Sequence, residues 1–201
     1  MLKDFEKIIN DFYSMDLDVS KFFPNISEKS KNQENLESKM NVLLLGSYQP
    51  GIIKLMEMYK QKEIKPNKKL NQEKELLPTE KMLLLKKILE KIGHEVMIGN
   101  ESLRGIRNVW NRLDLLIERA DHIILLLKNQ GGVLVEHSRI TEKNQGYKTV
   151  NYVKEREQLS NVLLKGSFLL PQTKTLWYKD DKDLVDLVIR TTEAYNRHLL
   201  K

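Results

Sequence analysis

From Met40 onward the chain alternates short continuous apolar runs with longer stretches in which apolar residues recur every three or four positions. MNVLLL and ADHIILLL are runs of the first kind, the pattern of strands covered on both faces. With HEVMI, KTVNYV and TLWYK they predict five strands, at about 40–45, 94–98, 121–127, 148–153 and 175–179. Between them lie candidate helices. One spans Gly51 to about Lys62, and a second, TEKMLLLKKILEKIG, has Thr79 as N-cap and Gly93 just past its end. A third, IRNVWNRLDLLIER, places Ile106, Val109, Trp110, Leu113 and Ile117 on one face. VLVEHSRITE follows a Gly-Gly turn, and DDKDLVDLVIRTTEAYNRHLL closes the chain. The segment from Lys154 to Lys174 reads as helix or as irregular loop. Both tryptophans, Trp110 and Trp177, are expected in core or interface positions.

Strands that alternate with helices imply right-handed βαβ crossovers and a parallel sheet. The most economical arrangement is an α/β, doubly wound three-layer sandwich with a five-stranded parallel sheet in the flavodoxin-like order 2-1-3-4-5. Residues 40–201 would form this Rossmann-like domain, with a lysine-rich stretch at about 60–78. Residues 1–39 form a separate arm, in which Leu2, Phe5, Ile8, Ile9 and Phe12 recur at helical spacing before a polar linker.

Composition narrows the class. The 201 residues contain no cysteine, which excludes a disulfide framework, a thiolate metal site and a cysteine nucleophile together. The acidic N-terminus is unlike a secretory signal, and no apolar run reaches the roughly 20 residues of a membrane span. A soluble cytoplasmic protein is therefore expected, with no membrane partner. The net charge of +6 is concentrated between Lys60 and Lys91, where ten lysines face five glutamates without arginine or aromatic residues between them. That favours a solvated face over a nucleic-acid surface, which adds arginine forks and stacking rings. A homo-oligomer stays open.

In the 2-1-3-4-5 order, ligands bind where β1 and β3 end and their following helices leave on opposite faces. Two loops converge there: Gly46-Ser47-Tyr48-Gln49-Pro50-Gly51 and Lys128-Asn129-Gln130-Gly131-Gly132. Their glycines either let backbone approach a ligand or only turn the chain. Gly46, Ser47, Tyr48, Asn129, Gly131 and Gly132 are the candidate ligand-binding residues. Neither G-x-G-x-x-G nor G-x-x-x-x-G-K-[ST] occurs, so classical dinucleotide and P-loop sites are disfavoured, and no cofactor is expected. Glu136, four residues after Gly132, is placed in the first turn of the helix leaving the switch point. There it acts on a sugar anomeric carbon or only compensates the helix dipole. His94 and His122 read as structural, and His137 lies about 100° from Glu136 on a helix. No histidine cluster has metal-ligand spacing, so no metal is expected.

The stretch DLLIERADHIILLLKNQGGVLVEHSRI resembles the central segment of the nucleoside 2-deoxyribosyltransferase-like superfamily, which neighbours TIR-type domains. Asp114, Ala120-Asp121, the run from Ile123 to Leu127, and Gly132-x-x-x-Glu136 fall in that family's pattern. MNVLLLGSYQP is similar to its first strand and aromatic-bearing loop, and GHEVMI to its second strand. The likeness covers about half the chain. It implies a nucleoside or nucleotide ligand, Tyr48 near the base, and Glu136 as the nucleophile that cleaves a nucleobase–sugar bond. Two positions depart from the pattern. Val133 stands where the family has threonine, and Lys128-Asn129-Gln130 stands where it usually has an acid. A non-catalytic nucleotide-sensing or protein-interaction module is the alternative, and nucleic-acid binding through the lysines a further one.

Overall fold

The two longest apolar runs become neighbouring central strands. The computed structural model describes residues 39–46, 76, 78–99, 109–127, 131–155, 157 and 173–199. The chain order is β1 (Asn41–Gly46), α1 (Pro78–Lys91), β2 (Glu95–Ile98), α2 (Val109–Arg119) and β3 (His122–Leu127). There follow α3 (Gly131–Glu142), a single 3₁₀ turn (Gly146–Lys148), β4 (Thr149–Lys154), β5 (Lys174–Tyr178) and α4 (Asp181–Leu199). The five strands form one parallel sheet in the order β2-β1-β3-β4-β5, the flavodoxin-like arrangement expected. Each strand lies within one residue of its expected bounds. The predicted helix after Gly51, the lysines from 60 to 74, most of the arm at 1–39 and most of 154–174 lie outside the described residues.

Alternation along each strand divides the core into two layers. Val42 and Leu44 of β1, with Ile124 and Leu126 of β3, pack beneath α1 and α4. Leu43, Leu45, Ile123, Leu125 and Leu127 face α2 and α3 instead. Both central strands are thus buried on both sides, which is why their sequences show no alternation of polar residues.

Local chemistry sets where the helices stop. Gly93 has φ +99°, and the bonds from Gly93 N to Glu90 O and from His94 N to Leu89 O close a Schellman motif. Asn144, at φ 55°, ends α3 in the same way, with Asn144 N bonded to Thr141 O and Gln145 N to Ile140 O. At its start α1 departs from expectation. It begins at Pro78, so Thr79 lies inside the first turn rather than capping it. Proline suits that position, because its missing N–H belongs to the unpaired first turn.

Packing keeps both tryptophans out of the core, which leaves the interface half of the core-or-interface expectation. The buried stripe of α2 is Leu116, Ile117 and Ala120, with Leu113 half-buried, whereas Trp110 is 48% exposed. Trp110 reaches sideways over the neighbouring helix instead of down to the sheet. Trp177, on the edge strand β5, is also exposed. Among the described residues no helix is long and apolar enough to cross a membrane.

Polar groups tie the lower, N-terminal ends of the strands. Asp121 Oδ2 accepts from Asn41 N at 2.7 Å and from Asn41 Nδ2 at 3.0 Å, linking the starts of β1 and β3. Lys148 Nζ donates to Ala120 O at 2.7 Å, and the Lys148 carbonyl sits 3.1 Å from His122 Nδ1. His122 is fully buried and stacked on Tyr195 of α4, with ring centroids 4.7 Å apart. Burial is the main force lowering its pKa, to about 4, against the smaller upward pull of the Lys148 carbonyl. Burial also lowers His94 and His137.

These shifts fix the sign of an acid effect. The unfolded chain protonates His122 near pH 6.5 and the folded chain only near pH 4, so stability is full above 6.5 and falls between the two. The loss from His122 alone should reach roughly 3 kcal/mol by pH 4. Urea denaturation of the protein and of His122→Phe, which keeps a ring against Tyr195, measures it. Equal pH slopes for the two proteins would remove His122 as the cause.

Candidate functional site

The upper, C-terminal ends of β1 and β3 are neighbours, with Gly46 paired to Leu126. The helix that follows β1 in the described chain, α1, lies on one face of the sheet, and α3, which follows β3, lies on the other. In this strand order ligands bind at such a point, and the loops that would line a crevice there lie outside the described residues. Gly46 has a specific reason to be glycine. Its φ is +148°, and a Cβ there would lie 2.9 Å from both Leu126 Cβ and Leu126 O. The β1 backbone therefore passes directly against β3 as it enters the loop. Gly132 differs, since a Cβ there would meet nothing within 4 Å. Ser47, Tyr48 and Asn129 lie outside the described residues, so Gly46, Gly131, Gly132 and Glu136 are the candidate residues placed by the structure.

Glu136 is not in the first turn of its helix. α3 begins at Gly131, two residues before the expected start, because Gly131 and Gly132 join the helix instead of preceding it. Glu136 accordingly occupies the second turn, about 7.5 Å along the axis from the first residue. It is 7% exposed and its Oε2 is fully covered. Dipole compensation fades beyond the first turn, so this position weakens the purely electrostatic explanation for a glutamate here.

The direction of Glu136 follows from its neighbours on the helix. Arg139 and Lys143, three and seven residues further on, both reach α2. Arg139 makes a two-pronged ion pair with Asp114, and Lys143 Nζ lies 2.8 Å from Glu118 Oε1 and 3.7 Å from Asp114 Oδ2. At 100° per residue, position 136 lies within about 20° of position 143 around the axis. Glu136 thus occupies the flank of α3 that faces α2, above the ion pairs and towards the upper end of the groove. Side chains on a helix lean back towards its N-terminus, which tilts the carboxylate towards the crevice. His137, one residue on, points about 100° away, and burial lowers its pKa. Val133 and Ile140 point straight down into the apolar layer between them.

Asp114 has an identifiable job in this arrangement. Its carboxylate is the main cause of the raised pKa of Arg139, and it contributes to that of Lys143 after Glu118. It fixes the rotation of α3 against α2, and through that the direction of Glu136. Sequence reasoning marked Asp114 but missed Arg139 and Lys143; their spacing of four on α3, opposite acids spaced by four on α2, was the available signal. Among the described residues no three His, Cys, Asp or Glu side chains are grouped to hold a metal ion.

Known protein families, curated proteins and solved structures offer no match to this chain. The functional reading therefore rests on the site's own geometry.

The two glycines should respond in opposite ways. Gly46→Ala meets both an unfavourable φ and a clash with β3, and should lose at least about 1–3 kcal/mol in a urea titration. Gly132→Ala, exposed within α3, should be neutral or stabilise by up to about 1 kcal/mol. Equal effects would mean that Gly46 is not held by its contact with β3.

Proposed function

We propose that this chain binds a nucleoside or nucleotide at the β1–β3 crevice and that Glu136 acts on its N-glycosidic bond. The observation that carries the reading is a buried carboxylate in the second turn of α3, on the flank directed to the crevice. The likeness of 40–140 to the deoxyribosyltransferase-like superfamily supports it. In this reading a carboxylate oxygen attacks the anomeric carbon. The bond from that carbon to the base nitrogen breaks, and the base leaves with the bonding pair and takes up a proton from solvent. Water, or a second base, then releases the sugar from the glutamyl ester. Partial exclusion of water would favour attack, since the carboxylate then has fewer solvent hydrogen bonds to shed.

A second reading has its own observation. Val133, which stands where the superfamily has threonine, is fully buried in the apolar layer. Its side chain brings no hydroxyl to a ligand, as a module that binds a nucleotide without cleaving it would tolerate.

Glu136→Gln separates the two. It preserves shape and hydrogen bonding but removes the nucleophilic charge. If Glu136 attacks carbon, release of base from nucleosides, nucleotides or NAD, followed chromatographically, should fall at least about a hundredfold, or about 2.7 kcal/mol in the barrier. Thermal stabilisation by the same ligands should persist. Ligand-induced stabilisation without base release from the unaltered protein would favour the binding module. Neither turnover nor ligand-induced stabilisation would remove both readings.

A further inference from the structure

α4 changes character along its length. Its first half carries the apolar stripe Leu184, Val185, Val188 and Ile189, all buried against the sheet. Asp181 anchors the start of the helix, meeting Lys81 Nζ at 3.0 Å and Leu76 N at 2.8 Å. At mid-helix the Thr191 hydroxyl is hydrogen-bonded to that of Tyr152 on β4. Beyond that point the buried stripe turns polar. Thr192 and Asn196 are buried, and between them the Tyr195 ring stacks on His122, 4.7 Å away. Apolar burial therefore holds the first half of α4, and polar contact the second.

The ring beneath that second half exists in one tautomer. The Lys148 carbonyl can only accept, so Nδ1 of His122, 3.1 Å from it, carries the proton and Nε2 the lone pair. Nε2 is fully covered and has no hydrogen-bond partner among the described residues. A proton added there would be a buried donor without an acceptor, on a ring that also gains charge. The surrounding groups do not offset this. His94, from the turn before β2, opposes a second charge. The Lys148 ammonium donates to Ala120 O, and Asp121 and Glu118 act on it, while Asp121 also accepts from Asn41. Glu193 of α4 acts on His94. β1 sets Val42 beside His122, and Val42 carries no charge.

We propose that residues 192–199 form an acid-released latch, which closes over the N-terminal edge of the sheet while His122 is neutral and lifts away when its ring takes up a proton, the rest of the domain staying folded. Lifting gives water to Nε2 and restores ordinary titration near pH 6.5, against about 4 in the closed form. Between those values only the open form binds the proton. Each pH unit lost there favours opening by up to about tenfold, and the whole window by about three-hundredfold. Above pH 6.5 both forms are neutral and the latch is indifferent to pH. The first half of α4 contains no histidine, and its apolar stripe has no proton to gain, which confines the opening.

Amide hydrogen exchange read by mass spectrometry from about pH 4 to about pH 7, corrected for intrinsic exchange at each pH, tests this. Protection over 192–197 should fall about tenfold per unit below pH 6.5, while 184–189 and α1 keep theirs. In His122→Phe a ring remains against Tyr195 and the fall should disappear. His122→Gln, which keeps a donor for the Lys148 carbonyl but cannot charge, should behave alike and serves if the first variant does not fold. Protection over 192–197 that ignores pH, or is already absent at about pH 7, would overturn the proposal. So would loss in step with 184–189, or the same pH dependence in a folded variant at His122.

Discussion

β1 and β3 lie side by side although they are some eighty residues apart in sequence, and the rest of the molecule is organised around that pairing. It is held at its two ends by different means. Below, the Asp121 carboxylate accepts from both the backbone and the side chain of Asn41. Above, Gly46 allows the two backbones to pass in contact. Between these points every residue of both strands except Asn41 is buried, and truncating a leucine there would be expected to cost roughly 2–5 kcal/mol. The same adjacency sets the switch point, because α1 and α3 lie on opposite faces of the sheet.

The crevice needs a second constraint before it can present chemistry, namely the rotation of α3 about its own axis. Apolar contacts alone would tolerate some rotation, since Val133 and Ile140 meet a broad leucine-rich layer. The Asp114 pairing with Arg139 and Lys143 narrows it. Isolated surface ion pairs contribute little, but here one carboxylate with only 16% of its side chain exposed receives two cations in a fixed fork-and-point geometry. Its value is directional. A rotation large enough to break it would turn Glu136 away from the groove and expose Ile140.

Much of this was legible in the amino-acid pattern. β1 and β3 are continuous leucine and isoleucine runs that fit no half-exposed element, and two such runs separated by helical periodicity leave few topologies. The edges of helices were harder. Trp110 fell on the same periodic stripe as Leu113 and Ile117, yet periodicity does not say whether a side chain meets the sheet or the next helix. Only the partner, Arg139, decides that. Likewise a Gly-Gly pair reads as a turn, while here Gly131 and Gly132 open the helix, which moves Glu136 from the first turn to the second. The strand order that sets the switch point was legible in the sequence, whereas the direction of Glu136 depends on ion pairs between two helices.

The position of Glu136 bears on its role through the cost of burial. A buried carboxylate beside Val133 and Ile140 on α3 gives up hydration that a leucine in the same place would never need. The flank it shares with Arg139 and Lys143 is charged while Val133 and Ile140 beside it are apolar, so Glu136 stands at the border of the two. At a helix N-terminus the dipole would offset part of that cost, but one full turn in, the offset is small. In the proposed reading, that partial desolvation is what would make the carboxylate a competent nucleophile.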